Sequence, residues 1–256
     1  MFSWLERLLS GAPPEIADAA WAVARAELRL LDGRSEAQLA RIRAQAARFL
    51  ASRAITGVRG LEIDERKRVL VAAQAAIPLA ELPFEWLGHW HEVVLYPGQF
   101  RVRRSHHDSD TDVVTEWDDE LAGEAWSHGP LILSWADIEQ DLKEPCVGFN
   151  VVIHEIAHKI DMADGETDGI PPLPNVARRR EWKRVMSAAY EALCLEVDAE
   201  RETPLDAYAA EAEDEFFAVC TEYYFSAPDV LAEHYPDVHA EFAKFYGVVP
   251  MPPAAG

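Results

Sequence analysis

Three residues in one short segment carry the side chains needed for metal-assisted hydrolysis. His154, Glu155 and His158 form the pattern H-E-x-x-H inside an apolar stretch whose periodicity predicts a helix. Two imidazoles four positions apart lie on one face of a helix, one turn above the other, where both can reach the same zinc ion. Glu155 is rotated away from that face but stays close enough to take a proton from an attacking water. The segment therefore predicts a zinc site with a general base beside it.

A catalytic zinc ion needs a third protein ligand and one open position for water. Asp161 follows His158 on the same helix face, where a third ligand would crowd the open position. We therefore expect Asp161 to accept a hydrogen bond from an imidazole N–H. Glu215 opens the apolar stretch of a later predicted helix and Glu222 interrupts it, so position alone leaves either of them as the third ligand. Two further acids nearby belong to a plainly acidic run: Glu211 and Glu213.

The segments around these residues alternate between helical and strand-like patterns. Residues 16–50 have helical spacing and predict two helices that are broken near Asp32-Gly33. Short aliphatic runs predict strands at 93–97 and 131–134, and the acidic stretch 105–124 predicts a solvated loop or hairpin. Further helices are predicted at 64–76, 148–163, 176–198, 205–225 and in a last segment ending near Tyr246, with a loop at 164–174.

This order of elements predicts an α+β fold in which a small sheet accompanies the helices that carry the site. A chain of 256 residues, 49% of them apolar, can bury the core of one large domain with a helical extension. We place a helical N-terminal region at residues 1–76, the metallopeptidase domain at 77–250 and a tail at 251–256.

Composition and charge exclude several classes of function. Lys and Arg number 24 against 45 Asp and Glu, and the formal net charge of −21 repels nucleic-acid phosphates and anionic lipid surfaces. We therefore expect neither nucleic acid nor membrane as a direct partner. The start of the chain lacks the uninterrupted apolar region of a signal peptide. Together with three widely separated cysteines, typical of reduced thiols, this predicts a cytoplasmic protein: Cys146, Cys194 and Cys220.

Several segments form a combination that is typical of one family. They lie at 86–87, 91–97, 129–135, 148–161, 206–209 and 218–228. This combination resembles the Mlc titration factor A family, bacterial zinc peptidases whose active-site pattern is related to that of the anthrax lethal factor protease. The resemblance runs from about residue 45 to residue 250, whereas the first 40 residues and the loop at 105–117 carry none of it.

The resemblance implies a zincin-like catalytic domain and completes the set of site residues. In that family the third ligand is a Glu seven residues after an active-site Tyr, which corresponds here to Glu215 after Tyr208. It thus implies one Zn²⁺ per chain on His154, His158 and Glu215, with Tyr208 donating a hydrogen bond to the developing oxyanion. Glu222 is then expected to support a ligand or the fold. Phe216 departs from the family, which usually has a smaller residue there.

The resemblance also implies two activities of different classes. One is aminopeptidase-like cleavage of a peptide or protein substrate, whose extended backbone is expected to add to an edge strand at 131–134. The other is binding to the glucose repressor Mlc. The alternative to an enzyme is therefore a regulatory protein that sequesters a repressor and keeps zinc only for structure. Glu155 argues against this alternative, because a structural zinc site needs no base beside its first histidine.

Overall fold

The fold is that of a computed structural model, which describes residues 14–88, 90–98, 100–108, 113–121, 123–125, 129–145 and 147–247. Helices and a small sheet alternate in these ranges, so the predicted α+β class is confirmed. None of the helices in these ranges is both long and apolar enough to cross a membrane.

The α-helices of the described residues occupy most of the chain. They are α1 (Asp18–Glu27), α2 (Glu36–Ser52), α3 (Glu65–Ala76), α4 (Trp135–Lys143), α5 (Val151–Asp161), α6 (Val176–Asp198), α7 (Glu213–Ser226), α8 (Pro228–His234) and α9 (Pro236–Tyr246). Short 3-10 helices lie at Arg29–Leu31, Phe84–Leu87, Met162–Asp164 and Ala207–Ala210. The predicted break near Asp32-Gly33 and the predicted helix at 176–198 are confirmed. The predicted helix at 205–225 is divided into the last of the 3-10 helices and α7.

The strands form one mixed sheet and one separate hairpin. They are β1 (Ala54–Gly57), β2 (Glu92–Tyr96), β3 (Phe100–Asp108), β4 (Val113–Leu121), β5 (Gly123–Ala125) and β6 (Leu131–Ser134). The mixed sheet has the order β1-β2-β6-β5, in which β5 alone is antiparallel to its neighbour. The hairpin pairs β3 with β4.

The position of β6 corrects one prediction. Residues 131–134 form a strand as expected, but this strand lies between β2 and β5 and is not an edge strand. The edge on this side of the sheet belongs to β5, which runs beside α5. Strands β5 and β1 were not predicted. Strand β1 lies inside the region expected to be helical and pairs with β2.

Two helices hold α5 from different parts of the chain. Helix α3 packs against α1, α2 and α5, so it joins the N-terminal helices to the helix that carries the H-E-x-x-H pattern. Eight residues of α3, from Val69 to Ala76, are buried. Helix α7 also packs against α5, and three acids in its first turn favour its start at the positive end of the helix dipole. The residues predicted to do chemistry therefore lie where α5 and α7 meet.

The loop after α5 is fixed through one glycine. The backbone N–H of Gly169 donates to Asp161 Oδ2 at 3.0 Å, and its carbonyl accepts a hydrogen bond from Trp182 Nε1 at 3.0 Å. Gly169 has a positive φ of 71°, and a Cβ at this position would lie 2.4 Å from the carbonyl oxygen of Glu213. Glycine is therefore required where the end of α5 meets the start of α7.

We predict that Gly169→Ala lowers the free energy of unfolding by about 2–4 kcal/mol, because it combines backbone strain with a backbone clash. Gly165→Ala is the matched control, since Gly165 also has a positive φ, of 99°, but a Cβ there would meet no atom within 4 Å. This control is expected to cost about 1 kcal/mol. Urea unfolding followed by tryptophan fluorescence measures both values, and equal losses would contradict the prediction.

Candidate metal centre

Helix α5 is buried along nearly its whole length. Ten of its eleven residues are buried, and only His154 is partly exposed. Asn150 caps the helix, because its Oδ1 accepts the backbone N–H of Ile153 at 2.9 Å. The remaining N–H groups at the start of a buried helix cannot donate hydrogen bonds to water, so neighbouring side chains must accept these bonds.

Side chains from three other helices meet the start of α5. Glu222 of α7 accepts the backbone N–H of Asn150 at 2.5 Å, and Asp141 of α4 accepts that of Val151 at 3.0 Å. The Asn150 side chain in turn donates to Gln74 Oε1 of α3 at 2.8 Å. The start of α5 is therefore fixed relative to α3, α4 and α7 by buried hydrogen bonds.

Three potential ligand atoms converge between α5 and α7. The Nε2 atoms of His154 and His158 lie 3.1 Å apart. Glu215 Oε2 lies 3.1 Å from the first and 3.3 Å from the second. The three residues form the single His/Cys/Asp/Glu group suited to a metal ion within the described part of the chain. The imidazoles thus face the carboxylate as their spacing on α5 predicts.

These separations fit a tetrahedral metal ion. Ligands at the 2.0–2.1 Å typical of zinc–nitrogen and zinc–oxygen bonds lie about 3.3–3.4 Å apart at tetrahedral angles. The three observed separations are within a few tenths of an ångström of that value. Glu215 Oε2 is buried and faces the two imidazole nitrogens. Two nitrogens and a buried carboxylate oxygen are also the donor types that bind zinc in catalytic sites.

The electrostatics of the cluster favour positive charge. Burial lowers the pKa of His154, but the carboxylates of Glu222 and Glu215 outweigh burial and raise it well above its usual value. Burial raises the pKa of Glu215, but hydrogen bonds from the two imidazoles outweigh it and hold that pKa well below its usual range. Both shifts have one cause, since carboxylates facing an imidazole pair attract a proton or a metal cation.

Glu155 and Tyr208 flank this cluster. Glu155 follows His154 on α5 and is buried. Tyr208 lies in the 3-10 helix before α7, where Asp206 Oδ1 accepts its backbone N–H at 2.9 Å. Its ring centroid is 6.0 Å from that of His154. Burial and then the neighbouring Glu215 carboxylate raise the pKa of Tyr208, so its hydroxyl is protonated and can donate.

The structure thus brings together all five residues proposed from the sequence, although their metal and catalytic roles stay predictions. One carboxylate outside the cluster contacts an imidazole of the cluster. It is that of Glu222, whose Oε1 lies 2.8 Å from His154 Nδ1. Asp161 had been expected to make such a contact. Its Oδ2 instead accepts Gly169 N–H, and its Oδ1 has no hydrogen-bond partner among the described residues, so this expectation is corrected.

Sequence reasoning missed the side chains that support the start of α5. Gln74 is a single amide in an otherwise apolar run, and this is a signal that could have identified it. Asp141 lies in α4, a helix that was not predicted, so nothing in the local pattern distinguished it from an ordinary surface acid.

Comparison with known proteins places the chain in a family. Residues 3–247 match the family described as glucose-regulated metallo-peptidase M90. The chain belongs to this family. Among the curated relatives, Mlc titration factor A of Cronobacter sakazakii is 36% identical over 248 residues, which cover 92% of this chain and 88% of the relative. Mlc titration factor A of Salmonella arizonae is 38% identical over 245 residues, which cover 90% and 91% respectively.

A third relative has the same name. Mlc titration factor A of Escherichia fergusonii is 38% identical over 226 residues, covering 82% of this chain and 79% of the relative. The resemblance inferred from the sequence segments is therefore confirmed. Its expected extent is corrected, because the family match begins at residue 3, within the first 40 residues that were expected to carry none of it. Membership of the M90 metallopeptidase family implies a metal ion, and His154, His158 and Glu215 form a group that could hold it.

We predict that the protein binds one divalent metal ion per chain and that Glu215→Gln weakens this binding by more than about 100-fold. A direct ligand should matter more than its hydrogen-bonding partners, whose loss costs about 10–100-fold. The matched control is Glu213→Gln, which changes an exposed acid of the same first turn and is expected to leave affinity unchanged. Chelator competition measures the affinities, and equal binding by the two variants would contradict the assignment.

Proposed function

We propose that the protein is a cytoplasmic, zinc-dependent metallopeptidase with aminopeptidase-like specificity. The observation that carries this proposal is the convergence of His154 Nε2, His158 Nε2 and Glu215 Oε2 within 3.1–3.3 Å beside Glu155. Membership of the M90 family supports it, because that family is described as metallo-peptidases. The fold class agrees, since the helices that carry the site accompany a small sheet.

His154, His158 and Glu215 would hold the zinc ion through these three atoms. Zinc suits a set of two imidazole nitrogens and one carboxylate oxygen, and catalytic zinc sites commonly use three protein ligands. When bound, zinc lowers the pKa of a coordinated water and polarises a carbonyl oxygen.

Glu155 would act as the general base. A position directly after the first ligand on α5 would bring its carboxylate close to the metal without making it a fourth ligand. It takes a proton from the attacking water as the water oxygen bonds to the peptide carbonyl carbon. It then gives this proton to the departing amine as the C–N bond breaks, so the base is restored.

Tyr208 would stabilise the negative charge that develops on the carbonyl oxygen. Because burial and nearby carboxylates raise its pKa, the phenol keeps its proton at neutral pH. A donor of this kind is worth about 3 kcal/mol of transition-state stabilisation. The partial exposure of Tyr208, 37%, leaves this side chain accessible to a substrate.

The substrate backbone would add to β5. This strand is the edge of the mixed sheet next to α5, and an extended peptide can pair with an exposed edge through main-chain hydrogen bonds. The preference for a free amino terminus is supported by acids around the cluster. Glu211, Glu215 and Glu155 all raise the pKa of Tyr208, so a cationic amine would be attracted to this place.

We predict that Glu155→Gln abolishes peptidase activity while the metal stays bound. Glutamine keeps the size of the side chain but cannot take a proton, and loss of a general base costs about 10²–10⁴-fold in rate. The measurements are cleavage of aminoacyl and peptide reporters together with metal content. The matched control is Glu191→Gln, which changes an exposed carboxylate of α6 and is expected to keep full activity.

Two results would contradict this prediction. Unchanged cleavage by Glu155→Gln would remove Glu155 from the mechanism. Absence of cleavage of every reporter by the zinc-loaded wild type would favour a structural zinc instead of a catalytic one. Comparison of reporters with free and acetylated amino termini separates aminopeptidase activity from cleavage within the chain.

A second candidate function is sequestration of a transcriptional repressor, with zinc in a purely structural role. It is favoured by the name Mlc titration factor A, which the relatives share. If it holds, an Mlc-type repressor should bind wild type and Glu155→Gln equally, because binding needs no general base. Titration of the purified repressor by light scattering or calorimetry measures this, and absence of binding would contradict it.

A further inference from the structure

One carboxylate of α7 makes two contacts with the start of α5. Glu222 Oε1 lies 2.8 Å from His154 Nδ1, and Glu222 Oε2 accepts the backbone N–H of Asn150 at 2.5 Å. The side chain is almost completely buried, at 2% exposure. Both oxygens therefore have a partner in a place from which water is largely excluded.

The contact with the imidazole selects one tautomer of His154. An ionised carboxylate can only accept hydrogen bonds, so the ring nitrogen that faces it carries the proton. Nδ1 of His154 is then the donor, and the lone pair is left on Nε2. Nε2 is the atom that faces His158 and Glu215 across separations of 3.1 Å. Glu222 contacts Nδ1 and thereby leaves Nε2, on the other side of the ring, unprotonated and able to bind a metal ion.

Helix α7 contacts both nitrogens of this ring. Glu215 approaches Nε2 and Glu222 approaches Nδ1, and the two acids lie two turns apart on the same helix. The ring orientation is therefore set by α7 and not by the rotamer of His154 alone. Because Glu222 also accepts the N–H of the helix cap, a shift of α7 would move the ligand and the start of α5 together.

We propose that Glu222 is a positioning residue that fixes the Nδ1-protonated tautomer of His154 and thereby sets the affinity of the cluster for its metal. This inference rests on the proposed zinc centre. Such partners raise the basicity of a ligating imidazole, and their loss typically weakens metal binding by about 10–100-fold. A purely structural role would affect the stability of the fold and leave metal affinity unchanged.

Glu222→Gln tests the proposal with a side chain of the same size. Glutamine offers one acceptor oxygen, and if this oxygen accepts the N–H of Asn150, the amide nitrogen faces His154 Nδ1 and donates to it. The proton then moves to Nε2, which cannot bind a metal in that form. The expected result is zinc affinity about 10–100-fold weaker in chelator competition, with metal-free protein that still unfolds cooperatively.

Asp141→Asn is the matched control. Asp141 is also a buried carboxylate at the start of α5, where it accepts the neighbouring N–H of Val151, and it has no hydrogen bond to a proposed ligand. The zinc affinity of Asp141→Asn is expected to stay within about 2-fold of wild type, because the amide oxygen of asparagine can still accept the N–H of Val151. Equal weakening in both variants would show that affinity follows capping, and would overturn the proposal.

Two further outcomes separate this inference from the zinc centre itself. Unchanged zinc affinity in Glu222→Gln, with lower melting temperature of the metal-free protein, overturns the positioning role alone. Failure of the wild type to bind zinc overturns both proposals.

A measurement on the wild type covers the case in which Glu222→Gln does not fold. Long-range ¹H–¹⁵N correlation of the metal-free protein, at a pH high enough for His154 to be neutral, reports which nitrogen of its ring is protonated. The proposal predicts a proton on Nδ1, and a proton on Nε2 would overturn it.

Discussion

Helix α5 begins inside the protein, and its first N–H groups must find acceptors there. Water cannot reach them, and a buried N–H without a partner costs about 1–3 kcal/mol. Asn150, Glu222 and Asp141 supply these acceptors, and Gln74 fixes the Asn150 side chain. Since these residues belong to different helices, the requirement of one helix start determines how α3, α4 and α7 lie around it. The geometry of the candidate metal centre depends on that arrangement of helices.

The same contacts place ionisable groups where they are costly. Burial raises the pKa of Asp141 to about 8 and that of Asp161 to about 7, and it also raises the pKa of Glu222. Each carboxyl group is compensated in part by a backbone N–H, and Glu222 additionally by His154. Buried hydrogen bonds of this kind favour one arrangement, because an alternative packing would leave more of these polar groups unpaired. The support of α5 is therefore specific as well as stabilising.

The sequence predicted what depends on local pattern. His154, Glu155 and His158 were identified from their spacing, and the loop at 164–174 from its Pro and Gly content. Position alone left Glu215 and Glu222 unresolved, and the family resemblance was needed to choose between them. Strands β1 and β5 have four and three residues, too few for any periodicity, and they exist because β2 and β6 pair with them. The partner of Asp161 depended on how the loop returns to Gly169, which no local pattern encodes.

Charge balance explains why a buried helix can carry so many ionisable side chains. Lys159 is buried on α5 one turn after Glu155. Burial lowers the pKa of Lys159 to about 8, and the negative charge of Glu155 opposes this shift. Its ammonium group also lies 5.1 Å from the ring centre of Trp90, a favourable cation–π distance. The negative charge of Glu155 is thereby opposed by the positive charge of Lys159 on the same helix. The negative charges of Glu215 and Glu222 have no such partner on α5, and these two carboxylates face the imidazole pair from α7. When the imidazoles are neutral, two carboxylates require about two positive charges. One divalent ion carries this charge.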